Sequence, residues 1–146
     1  MDGKKKHSLL VYSLGVLQAF IGLTAILGGF ELVSDPSGIK MNLSLEWLNG
    51  SPFPDYFVPG LILLIVIGVA NTIGAAVTFF RSRYSGNTAV ALATCLIIYL
   101  TVEIWVVGLQ TILQPSYFIL GVIVLLLGLK LHGSLQKGLK IAWDLQ

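Results

Sequence analysis

The chain has 146 residues, 55% of them hydrophobic and 11% charged, with a formal net charge of +2. Soluble domains carry about 25% charged residues, so this composition cannot clothe helices with the charged face that water requires. No basic stripe suits nucleic acid, and a single cysteine, Cys95, excludes an intrachain disulfide and CxxC redox chemistry.

In chain order, residues 8–30 form the first apolar stretch, behind Lys4-Lys5-Lys6. It outruns the roughly 7–15-residue core of a signal peptide, and no A-x-A site follows, so it reads as a retained span. Gly15, Gly22 and Gly29 recur along it with Gln18 and Ala25 between them, a small-residue stripe suited to close packing or to an oligomer interface. The loop 31–57 opens on Asp35-Pro36-Ser37-Gly38, a turn signal. From Ile39 to Trp47 apolar and polar residues alternate, which predicts an extended segment. Ser44 as an N-cap offers the competing reading, a short helix through Leu48. So many apolar groups imply a loop that folds back over the bundle or the bilayer surface.

The second stretch, 58–80, carries Pro59 in its first turn and places Gly68, Asn71, Ala75 and Thr78 on one face, with Gly74 beside it. A hairpin over 81–87 uses Gly86 as its turn residue. The third stretch, 88–113, contains the only charge of the three long spans, Glu103. A tight turn around Pro115 leads to a shorter fourth stretch, 116–131, with Gly121 and Gly128 on its packing face. In the tail 132–146, Leu135, Leu139 and Ala142 continue a face begun at Leu131, opposite Lys137, Lys140 and Asp144, and Trp143 suits headgroup depth. That pattern fits an amphipathic helix on the membrane surface, with a frayed end as the bland alternative given Gly133 and Gly138.

About 20 apolar residues in helical form cross the hydrocarbon core. The expected fold is therefore all-α: one domain, a four-helix transmembrane bundle, antiparallel and up-down, with an ordered outer loop between the first and second helices. Lys4, Lys5, Lys6, Arg81, Arg83, Lys130, Lys137 and Lys140 fall on one side and Lys40 alone on the other. The asymmetry predicts that both termini are cytoplasmic.

A carboxylate at mid-membrane costs about 2.5–3.5 kcal/mol on insertion scales, so Glu103 is the leading site candidate. Continuing the helix to residue 113 puts Tyr99, Gln110 and Gln114 on its stripe and Trp105 on the opposite face. Glu103 to Leu113, Asn71 to Pro59 and Gln18 to Phe30 are 10 to 12 positions each, or roughly 15–18 Å. The spacing predicts a hydrogen-bonded cluster of Gln18, Asn71 and Glu103, with Tyr99 a turn further in and Lys130 within reach as a counter-charge. Three readings stay open: a register-fixing polar group, proton or cation handling, and a site for a small amphiphile or lipid headgroup. His7 and His132 do not make a haem site. No metal-ligating cluster, phosphate loop or nucleophile elbow occurs in the sequence. Neither a cofactor nor an enzymatic activity is expected.

Asp35-Pro36-Ser37-Gly38, Ser51-Pro52-Phe53, Asp55-Tyr56, Pro59-Gly60 and Leu113-Gln114-Pro115 with Tyr117 resemble the pattern of small bacterial four-span integral membrane proteins of uncharacterised activity. The resemblance implies a bacterial plasma-membrane setting and no particular reaction. The chain does not resemble small multidrug-resistance transporters, which carry an acid in the first span where Gln18 stands here, nor four-span thiol oxidoreductases. The expectation is a non-enzymatic accessory, ligand-binding or lipid-binding membrane protein. The alternative is a small oligomeric proton- or cation-coupled transporter using Glu103. Expected partners are membrane lipids, together with a second copy of the chain or another membrane protein, and no nucleic acid.

Overall fold

A computed structural model describes residues 3–144, with the side chains of Leu139 and of residues 142–144 excepted. Four helices are long and apolar enough to cross a membrane: α1 (Gly3–Ser34), α2 (Phe57–Phe79), α3 (Ser85–Val107) and α4 (Leu113–Asp144). They pack as an up-down ring in which α1 pairs with α2 and α3 pairs with α4, while α1 meets α4 and α2 meets α3 more lightly. The loop over 35–56 caps one end of the ring. The turn over 80–84 shares the other, basic end with the start of α1 and the end of α4.

Glycine sets both pairings. Beyond α1, a Cβ on Gly15 would meet the Phe79 ring, one on Gly22 would lie 2.5 Å from Thr72 Oγ1 and 2.7 Å from its backbone nitrogen, and one on Gly29 would lie 2.5 Å from the Leu64 nitrogen. As the α1 number rises the α2 number falls, the register of an antiparallel pair. Gly60 of α2 returns the favour against Leu32. In the second pair Gly86 meets the His132 backbone, Gly128 meets Ala89 and Val90, and Gly121 meets Leu96 and Ile97. The small-residue stripes on α1 and α4 are thus consumed inside the chain. Between the pairs lie Leu14, Ile21, Ile67, Leu96 and Val124, all but excluded from solvent.

Helix α2 is wound as a π-helix over Leu63–Val69. Asn71 Nδ2 donates to the Ile67 carbonyl at 2.8 Å, and Thr72 Oγ1 donates to that of Gly68 at 3.0 Å. Asn71 therefore serves its own helix, where the sequence had suggested a partner for Glu103.

Several boundaries differ from expectation. Helix α3 stops at Val107 because Gly108 takes a left-handed φ of 76°, the usual helix terminator. The turn is consequently 108–112, and Pro115 lies inside the first turn of α4, where its missing N–H costs nothing. Gly86 is no turn residue: it lies in α3, and the turn before it uses Arg81 at φ 54°. Arg81 donates to Ser8 Oγ at 3.0 Å and lies over the Tyr12 ring, tying the turn to α1. Residues 132–144 continue α4 without a break. The amphipathic face expected there falls partly on Leu139, Ala142, Trp143 and Asp144, whose side chains lie outside the described residues.

The glycine register gives a direct expectation. Gly22→Ala and Gly29→Ala force backbone against backbone and should each cost about 1–3 kcal/mol, read as a lower melting temperature in detergent. Gly28→Ala should leave it unchanged, since a Cβ there meets only Leu63 Cδ2 at 3.6 Å.

Candidate functional site

The two helix pairs do not close on each other at the loop end. The space between them is partly filled by the loop. Leu48 and Tyr56 are buried against Leu32 of α1, with Leu43, Leu63, Val106 and Val107 around them. What remains open is a chamber of about 340 Å³, within the range of small-molecule pockets. Its walls come from all four helices and the loop, and they are overwhelmingly apolar or aromatic.

The loop that roofs it has a definite structure. Asp35 accepts from the Ser37 hydroxyl and, at 2.9 Å, from the Lys40 N–H. Gly38 at φ 74° lets the Tyr56 ring pack on it, since a Cβ there would lie 3.0 Å from the ring. Tyr56 N–H donates to the Pro36 carbonyl at 3.0 Å, and its hydroxyl to that of Ser44 at 2.8 Å. Ser44 caps a 3-10 turn over Leu45–Leu48 by accepting from the Glu46 N–H. The short-helix reading at Ser44 is the one that forms. The extended strand does not, because Ile39–Met41 is another 3-10 turn and Asn42 is left-handed at φ 55°.

Glu103 lies four residues, about 6 Å, from the end of α3. It faces the chamber, and Gln114 Nε2 donates to its Oε1 at 3.2 Å. Gln114 is buried, and its own oxygen accepts from the backbone N–H groups of Gln110 and Thr111. Gln110 Nε2 donates to the Val107 carbonyl at 2.7 Å, closing the helix end. Tyr99 lines the chamber one turn below Glu103, with its hydroxyl 3.4 Å from the Pro59 carbonyl. Trp105 points away and is 85% exposed.

Of the residues singled out from the sequence, Glu103, Tyr99 and Gln110 come together at this chamber; Gln18, Asn71 and Lys130 do not. Gln18 is fully buried between α1 and α2, where its Oε1 accepts from Thr78 Oγ1 at 2.7 Å and its nitrogen has no partner. Lys130 is exposed, 16 positions along α4 from Gln114, about 24 Å by helical rise. The projected cluster fails because α3 ends at Gly108, which moves Glu103 toward the loop end and away from the other two amides. Sequence reasoning passed over Thr24, Gly28, Trp47, Phe53, Tyr56 and Tyr117 as chamber residues. Phe53, Tyr56, Pro59, Gln114 and Tyr117, on which the resemblance was drawn, all line it. Among the described residues no His, Cys, Asp or Glu group could hold a metal ion.

No protein-family model, curated protein or solved structure matches the chain.

Two outcomes follow from these bonds. The Ser37 hydroxyl and the Lys40 N–H hold the Asp35 carboxyl below its ordinary value. The loop should therefore keep this contribution above about pH 4 and lose it as pH falls through the lowered value. Faster amide exchange at residues 37–40 in acid, reproduced at neutral pH by Asp35→Ala, is the expected record. Thr78→Val leaves both ends of the buried Gln18 amide unpaired and should cost about 1–3 kcal/mol, measurable by denaturation in detergent.

Proposed function

We propose that this chain is a multi-pass membrane protein that binds one small amphiphilic molecule in the chamber beneath its loop, without catalysing a reaction on it. The single observation that carries the reading is an apolar chamber of about 340 Å³ with one carboxylate on its wall. At about 30 Å³ per water this equals roughly eleven waters. That is room to enclose a single short chain or a compact ring system. An apolar body with one polar end matches such a wall, because an unpaired polar group elsewhere in it would go unsatisfied.

The setting we propose is a bacterial plasma membrane with both termini cytoplasmic. Eight of the nine Lys and Arg residues belong to the basic end, and the loop carries only Lys40, which supports that orientation through the positive-inside bias. The loop and the chamber would then face outward. Proton- or cation-coupled transport through Glu103 has less support. Ile21, Ile67, Leu96 and Val124, each at most 2% exposed, form an apolar plug within the bundle, and a path to the basic end would need polar groups there.

Purification from native membranes, followed by extraction and mass spectrometry, tests the reading. One small amphiphile should be retained at near-stoichiometric amount and lost from Gly28→Leu. That variant adds side-chain volume to the chamber wall at a position where a Cβ meets only a Leu63 methyl. Retention undiminished in Gly28→Leu, with the fold intact by melting temperature, would overturn the proposal.

A further inference from the structure

The chamber's hydrogen-bonding groups are unequally committed. Five of its side-chain donors are spent inside the protein, while the Trp47 indole N–H and the Thr111 hydroxyl make no hydrogen bond among the described residues. Thr24 Oγ1 donates to the Phe20 carbonyl, Tyr56 to that of Ser44, Tyr99 to that of Pro59, Gln110 Nε2 to that of Val107, and Gln114 Nε2 to Glu103. On the acceptor side, Glu103 takes one hydrogen bond among the described residues, through Oε1, and its Oε2 takes none. No Lys, Arg or His is among the lining residues. The surroundings repeat the bias. Glu31, Asp35, Glu46 and Asp55 lie at the loop end, against Lys40 alone.

From this imbalance, and resting on the amphiphile-binding reading above, we infer that the molecule the chamber takes is a single-chain amphiphile with a protonated amine head. The ammonium donates to Glu103 Oε2, which makes the bond charge-assisted and stronger than a neutral one. It also supplies the counter-charge that a carboxylate facing an apolar space otherwise lacks. Five aromatic rings (Trp47, Phe53, Tyr56, Tyr99 and Tyr117) line the same space, and aromatic faces attract cations. A carboxylate or phosphate head is disfavoured because it would meet Glu103 as a like charge and would find no cationic side chain among the lining residues. The acidic loop end raises the local concentration of cations before entry.

The test uses the full chain in zwitterionic lipid nanodiscs, with Trp105→Phe and Trp143→Phe so that Trp47 reports on the chamber. Dodecylamine, dodecanol and dodecanoate are titrated separately, and empty nanodiscs correct for partitioning. Dodecylamine should change Trp47 emission and raise the melting temperature with an affinity about tenfold above that of dodecanol, and dodecanoate should bind weakest. Glu103→Gln should erase the difference between amine and alcohol while still binding both. That variant keeps a side chain able to bond Gln114, so its melting temperature without ligand checks the fold. Equal binding of all three probes, or an amine preference that survives Glu103→Gln, overturns the ammonium assignment and leaves the amphiphile reading standing. If no probe binds, and Gly28→Leu retains whatever the native protein retains, the amphiphile reading falls with it.

Discussion

The bundle depends on backbone contact at glycine. Leu, Ile and Val on these helices resemble a lipid tail, so burial of side chains gives little reason for one helix to prefer another over lipid. Close approach does. At Gly22 and Gly29 the backbone of α2 comes near enough that a Cβ would overlap it. The same holds for Gly86 against α4. Two tight pairs result, and within each pair there is no room for a ligand. Space is left only between the pairs, and at the basic end Gly74 and the Ser85 hydroxyl, which donates to the Val77 carbonyl at 3.0 Å, keep α2 and α3 together. At the loop end the helices lack such a contact, and the loop enters instead. The chamber is thus the geometric remainder of where the glycines were placed.

The loop and the carboxylate form one construction. Tyr56 joins the start of α2 to the turn at Gly38, and burial pushes its phenol above the ordinary value, with the charge of Glu103 acting in the same direction. Gln114 holds Glu103 with one end of its amide and the turn over 108–112 with the other. Gln110 seals the end of α3. A change in how Glu103 is bonded therefore reaches the turn directly through one buried amide. On the proposed reading, binding at the carboxylate and the order of the loop end draw on the same few hydrogen bonds.

Helix number, helix type and the pairing faces were legible in the sequence because glycine spacing and apolar length are one-dimensional signals. Gly15, Gly22 and Gly29 could be read as a face before any partner was known. The site was legible only in part. Glu103 was identifiable by its cost, but its depth was misjudged because the span was carried through Gly108 to residue 113. Gly108 is in fact a terminator, made so by a left-handed backbone. That single residue shifts Glu103 to the last turns of α3 and turns Gln110 and Gln114 from helix neighbours into turn and cap residues. Asn71 was misread for another reason. Its bond is to the Ile67 carbonyl of its own helix, within the π segment, and no periodicity in the sequence announces such a segment.

Glu103 also differs in kind from the other buried polar groups. Gln18 and Asn71 lie where helices touch, and each has a bond to a neighbouring group within the α1–α2 pair. Register-fixing is a sufficient account of both. A carboxylate whose only role was register would be expected to have its second oxygen satisfied as well, since leaving it bare against an apolar space is costly. Glu103 has one oxygen held by Gln114 and the other without a partner among the described residues, and it lines a space shared with five aromatic rings. Its position near the end of α3 places it beneath the loop and apart from the glycine contacts that hold each helix pair. That separation and the incomplete partner set are the two features on which the proposed binding reading rests.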